Sequence, residues 1–262
     1  MESPGAGFAI ARRKGKLDLI SNVNAVLTAL TQRRSDTHAH LQTDRRPRHQ
    51  YGYLRWATFV PAGTWEWRRA CVFLGTVFVS YVAMAVYVFP GREDLLNERF
   101  KPPIQKGQPL ADKVIVILFI VTFLGLIVFI PLDVFRLHLM DKPGTLVSSF
   151  GLVLFVAGWW IICFAFKENC FAAPVVKHQK QQTVADTGVY GLVRHPMYAG
   201  AVLLVIGMPL WLESYAAALL ASVPIGTLAL RIPVEERFLR RELKGYDAYT
   251  ERVRYRLIPF LW

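Results

Sequence analysis

Arg194-His195-Pro196-Met197-Tyr198-Ala199-Gly200 opens an apolar stretch that runs to Leu230, broken only by Glu213 and Ser214, after which the chain continues Arg231-Ile232-Pro233-Val234-Glu235-Glu236. The two apolar halves, 198–212 and 215–230, carry no charge. Joined by two residues, they form a helical hairpin or a re-entrant loop. Either form returns the chain to the side it came from. The polar clusters at 194–200 and 231–236 are therefore expected to meet on one side of a bilayer, as a membrane-embedded site would require.

Three further uncharged runs precede the hairpin, at 70–89, 114–132 and 146–166. Each is close to the ~20 residues that span a hydrocarbon core. Backbone in lipid must satisfy its own hydrogen bonds, so such runs are helices. None shows the one-sided apolar stripe of a soluble helix. The expected fold is an all-α integral membrane protein with about five transmembrane helices, the last two a hairpin, plus a cytoplasmic C-terminal helical segment. The lipid bilayer is its first partner. Oligomeric state is not legible.

The net charge of +12 is expected to mark sidedness rather than nucleic-acid binding. Near the span ends, the side bearing the 90–113 loop, the 167–197 loop and residues 231–250 holds fourteen Lys and Arg, and the other side holds five. The positive-inside rule places the richer side, and with it the site, in the cytoplasm. Nine more basic residues in the far N-terminal region run against that assignment, although long tails weigh less in the rule. Cys71, Cys163 and Cys170 show no metal-ligand spacing, so no metal is expected and the thiols are read as reduced.

Residues 1–55 read as a basic tail, disordered or with a weak amphipathic helix at 17–30, and 56–262 as the membrane domain. The tail does not read as a secretory signal, since Asp18, Asn22 and Asn24 break its apolar run. A mitochondrial transit peptide stays compatible with its composition. Trp56, Trp65 and Trp67 precede the first span as expected headgroup-level anchors. After Arg231, Pro233 suits the first turn of a new helix or marks a kink. A basic amphipathic helix with Phe238, Leu239 and Leu243 on one face is expected to stop near Gly245.

The chemistry-bearing residues lie at 182–200 and 231–259. Gly188 permits close backbone approach, and Pro196 can start the following helix. Arg194 and His195 add hydrogen-bond donors, while Tyr190 and Tyr198 add aromatic faces. That set suits a ligand with anionic and cationic parts, since an aromatic face attracts an onium group by roughly 0.5–2 kcal/mol. It equally suits a helix end anchored at the headgroups. Arg231 and Glu235 are four apart and share a face if the helix is continuous. Interfacial charges of this kind are functional candidates.

These residues carry a resemblance. Thr187-Gly188-Val189-Tyr190, the Arg-His-Pro-x-Tyr-x-Gly pattern at 194–200, Arg231 with Glu235-Glu236, and the ending from Tyr246, Tyr249, Arg252 and Val253 to Ile258-Pro259 resemble the isoprenylcysteine carboxyl methyltransferase family. Its bacterial branch is also resembled, in Lys167-Glu168-Asn169-Cys170-Phe171. Phospholipid N-methyltransferases are related, and sterol reductases share parts of the pattern. The resemblance covers about 55–262. It implies S-adenosylmethionine as cofactor, surrounded by Gln182, Thr183, Val184, Ala185, Tyr190, His195, Pro196, Met197 and Tyr198, with Glu235 on its polar groups. It implies that Arg231 binds the acceptor, with Arg231 and Glu235 as catalytic residues. The implied acceptor is an amphipathic carboxylate such as a prenylated cysteine. A phospholipid amine, or a fold that binds without catalysis, are the alternatives. Where eukaryotic members carry a cofactor-contacting Gln, this chain reads Pro174-Val175-Val176-Lys177.

Overall fold

The computed structural model describes residues 59–90, 101–172, 175–176 and 182–262. The expectations for the tail, for Trp56, and for Pro174 and Lys177 fall outside these. The elements described are helices: α1 (Arg68–Tyr87), α2 (Leu110–Leu132), α3 (Thr145–Glu168), α4 (Pro196–Trp211), α5 (Tyr215–Leu220), α6 (Ser222–Glu242) and α7 (Tyr246–Arg252). A π-helical turn, Asp133–Leu137, closes α2, and a 3-10 turn, Gly188–Gly191, precedes α4. The protein is an all-α membrane protein. Among the described residues four segments are long and apolar enough to cross a membrane: Arg68–Tyr87, Leu110–Leu137, Thr145–Glu168 and Tyr215–Glu242. Pro196–Trp211 is a shorter apolar helix.

The connection at 213–214 is as tight as its sequence. Glu213 takes φ +71° and turns the chain. Ser214 caps α5, its Oγ accepting from Ala217 N–H at 2.9 Å while its hydroxyl donates to Asp133 Oδ2 at 2.6 Å. Arg69 of α1 reaches the same corner and pairs with Glu213 at 2.9 Å. This end is thereby fixed by polar bonds at the side of the bundle opposite the site.

The second arm departs from expectation. The span read at 215–230 is split into α5 and α6, and α6 runs unbroken through Pro233 to Glu242. Pro233 starts no new helix. It lacks an N–H for the carbonyl one turn back, yet Ile232 and Glu236 on either side are buried and hold the helix in place. The basic segment after Arg231 is the last turns of the spanning helix itself. Trp67 also departs: it is buried, edge-on to Phe135 at 5.1 Å, whereas Trp65 is exposed as an anchor would be.

Helices α3 and α4 touch backbone to backbone. A Cβ on Gly158 would lie 2.4 Å from Gly200 O, and one on Gly207 would lie 2.4 Å from Gly151 O. Small residues permit such approach where lipid offers no hydrophobic drive between helices. Gly200 of the 194–200 motif is thus a packing residue. It draws the start of α4 against α3, so that His195, Tyr198 and Asn169 come to line one cavity.

Candidate active site

Glu236 organises the polar end of α4 and α6. Its Oε1 accepts from Arg194 Nε at 2.7 Å and lies 3.3 Å from His195 Nε2. Its Oε2 accepts from Arg256 Nε at 3.2 Å and Nη2 at 3.1 Å. Arg194 also donates from Nη1 to the carbonyls of Val253 and Arg254, each at 2.8 Å. The main chain repeats this join, Arg194 N–H to Tyr255 O and His195 N–H to Arg256 O, both at 2.9 Å. The motif Arg-His is therefore the clasp between helix α4 and residues 253–256. Arg194 and His195 are buried, so neither serves at the headgroups as a simple helix-end anchor.

Glu235, one residue earlier, turns the other way. Its Oε2 accepts from the Tyr198 hydroxyl in a short hydrogen bond. Tyr198 stacks on His195 at 5.4 Å with planes 7° apart. The Arg231 guanidinium stands 5.8 Å from the Tyr198 ring centre and donates from Nε to Asp112 Oδ1 at 2.7 Å. Asp112 is fully buried, and its Oδ2 accepts from Gln108 Nε2 at 2.7 Å and Val176 N–H at 3.0 Å. Arg231 and Glu235 thus share one face of a continuous helix, and Asp112 anchors the first of them.

The loop before α4 forms the outer wall. Gly188 sits at φ +55°, and a Cβ there would lie 2.7 Å from the Glu168 carboxyl carbon. That tight approach lets Thr187 Oγ1 donate to Glu168 Oε2 at 2.7 Å. Tyr190 accepts from Asn169 Nδ2 at 3.3 Å through its hydroxyl, and its carbonyl accepts from the Tyr249 hydroxyl at 2.8 Å. Burial pushes the Tyr246 and Tyr249 phenols well above their ordinary value, and the carboxylates of Glu236 and Glu235 add to the effect at Tyr246. These phenols stay neutral donors.

A polar and an apolar cavity adjoin at this end. The polar one is lined by Gln182, Thr183, Val184, Ala185, Tyr190, His195, Pro196, Met197, Tyr198 and Glu235, so the ten residues singled out for the cofactor surround one space. Asn169, Phe171, Leu239, Leu243, Tyr246 and Tyr249 line it as well, and none of these six was among the ten assigned to the cofactor. The apolar cavity, about 300 Å³, lies among Val116 and Phe119 of α2, Ile162 and Phe166 of α3, Ala201 of α4, and Leu228 and Arg231 of α6. Val175, Met197, Tyr198 and Glu235 line both. Arg231 lines the apolar cavity alone of the two, apart from the ten that surround the polar one.

The phospholipid methyltransferase family model matches residues 146–244. The match starts in α3, takes in the loop at 182–195 and α4, and ends just after α6. It therefore holds Asn169, the 194–200 motif, Arg231, Glu235 and Glu236, and leaves out Asp112 and Arg256. No curated protein matches the chain.

Proposed function

We propose that the protein is an S-adenosylmethionine-dependent integral membrane methyltransferase acting on the polar end of an amphipathic acceptor, most like a prenylated cysteine carboxylate. One observation carries this reading. A polar cavity and an apolar cavity between membrane helices share the wall Met197–Tyr198–Glu235, so two unlike ligands would meet there.

The residues present fit the cofactor. Tyr190, Tyr246 and Phe171 line the polar cavity with aromatic rings, a residue type that suits a purine and an onium group. The Glu235 carboxylate favours a cationic centre, and the polar side chains of Asn169 and Gln182 line the same space. When bound, the cofactor supplies a methyl group already activated on a cationic sulfur. The chain's own task is then placement, and alignment in a dry site is worth several kcal/mol. Tyr198 and Glu235, tied to one another, define the junction. Arg231, held by Asp112, draws an acceptor carboxylate to it while the apolar cavity takes the tail. The site faces the cytoplasm in this reading, as the basic residues at 231–250 imply.

One observation favours an amine acceptor instead. Asp112 and Glu235 set two carboxylates against the Arg231 guanidinium, a balance that suits an ammonium headgroup, and the matching family is one of phospholipid methyltransferases. Glu235 would then keep the amine neutral for attack.

The test is methyl transfer from radiolabelled S-adenosylmethionine by the detergent-solubilised full chain, with a farnesylated cysteine analogue and phosphatidylethanolamine offered in parallel. Volatile label released by alkali from the cysteine analogue supports the carboxylate reading. Alkali-stable label in the lipid replaces it with the amine. No transfer to either, together with no cofactor binding by calorimetry, overturns the methyltransferase reading.

A further inference from the structure

The turn at 258–262 stands apart from the site. Ile258, Phe260 and Leu261 are exposed, Phe260 by 89%. Phe260 takes φ +67°, a conformation uncommon for a bulky residue. The backbone around it is closed on itself: the N–H groups of Arg256, Leu257 and Ile258 donate to Trp262 O at 2.9, 2.9 and 3.1 Å, and Leu261 and Trp262 N–H donate to Ile258 O at 3.2 Å. The turn thus folds these five N–H groups inward and sends its apolar side chains outward. Such turning-in of N–H groups lowers the cost of seating a turn at the edge of the lipid.

Its position along the bundle is set by Leu257, which packs against the cluster that Tyr198 of α4 forms with Leu228 and Ile232 of α6. The turn therefore lies level with the last apolar turns of a spanning helix. On α6, Val223 and Leu230 are exposed, and Arg237 and Arg241 continue that stripe at the same helical phase, both exposed. Seven residues separate Leu230 from Arg237, about 10 Å of rise. The bundle's apolar surface gives way to basic surface over that distance, as hydrocarbon gives way to phosphate.

We propose that the 258–262 turn is an interfacial anchor, its Ile258, Phe260 and Leu261 side chains seated at the headgroup–acyl boundary of the bilayer that holds the bundle, with Arg237 and Arg241 on anionic headgroups above them. Apolar side chains at the depth where exposed basic residues begin are the pattern of segments that lie in the interface. Arg256 gives the anchor its second role. It holds Glu236 from one end of the turn, and its guanidinium lies 5.6 Å from the Trp262 ring centre. Lipid contact at the turn thereby steadies the residue that fixes Arg194 and His195.

The test is independent of methyl transfer. The full chain carrying Cys71→Ser, Cys170→Ser and Leu261→Cys, labelled with a small fluorophore, is placed in nanodiscs of phosphatidylcholine alone or mixed with phosphatidylglycerol. The same label at Glu251→Cys, an exposed position of α7, serves as the reference. The anchor requires quenching at 261 by lipid-borne nitroxide to exceed quenching by aqueous iodide several-fold, with the order reversed at 251. It also requires phosphatidylglycerol to raise the ratio at 261, and Arg237→Glu with Arg241→Glu to abolish that rise. Iodide quenching at 261 equal to that at 251 overturns the proposal. So does protection from both quenchers, which would place a protein partner on the turn.

Discussion

Replacing Glu236 is the sharpest test of how the polar end is held. The Glu236 and Arg194 side chains are 5% and 7% exposed, and they are 2.7 Å apart. Removing one partner of a buried pair strands the other, at about 3–5 kcal/mol. Arg194 keeps its two carbonyl acceptors on Val253 and Arg254, which places Glu236→Ala at the lower end, about 3 kcal/mol. Glu236→Gln keeps the shape and loses the charge, so about 1.5–3 kcal/mol is expected from the weakened charged hydrogen bonds. Arg256 is 34% exposed, and solvent screening limits Arg256→Ala to about 0–1 kcal/mol. The expected order of destabilisation is therefore Glu236→Ala, then Glu236→Gln, then Arg256→Ala. Reversible unfolding in mixed micelles of rising SDS fraction measures it, with cofactor affinity followed by calorimetry on the same samples. An Arg256→Ala loss as large as that of Glu236→Ala would refute the reasoning. So would a Glu236→Ala protein within about 0.5 kcal/mol of the parent, the range of ordinary surface substitutions.

The glycine seam predicts that Gly158→Ala and Gly207→Ala destabilise the bundle, because each new Cβ meets main-chain oxygen at 2.4 Å, while Gly75→Ala and Gly125→Ala, with nothing within 4 Å, leave it unharmed. Equal melting temperatures across all four would remove the seam from the account. Asp112→Asn keeps the shape beside Arg231 and loses the charge, so kcat/KM for the acceptor should fall about tenfold to a hundredfold with cofactor affinity unchanged. A fall in cofactor affinity instead would place Asp112 at the wrong cavity. Tyr246 holds its proton in the folded chain well past the ordinary value of 10.0, whereas the unfolded chain releases it there. Its contribution is full below about pH 10 and is lost as the pH rises further. The alkaline unfolding profile of Tyr246→Phe should fall less steeply than that of the parent, and superimposable profiles would contradict the burial argument.

How far the site was legible depends on helical phase. The hairpin was readable because apolar length and a two-residue break leave few alternatives in lipid, and the pairing of 194–200 with 231–236 follows from it. Asp112 was not readable. It stands two residues before the uncharged run at 114–132 and 119 positions from Arg231, and no local pattern records a partner at that distance. The glycine seam left a fainter trace, since Gly151 and Gly158, like Gly200 and Gly207, recur at seven residues and so share a face. The choice between Glu235 and Glu236 turned on Pro233. Treating Pro233 as a possible helix start leaves the phase of the following residues undefined. A helix continuous from Ser222 fixes it: Leu228 and Ile232 are buried one turn apart, and Glu236 is the next position on that stripe. The stripe carries it inward to Arg194. Glu235 follows Arg231 by one turn and falls instead at the wall between the cavities. Two adjacent carboxylates thus take different tasks because successive residues on a helix point about 100° apart, one holding the structure closed and the other facing the space where a ligand would lie.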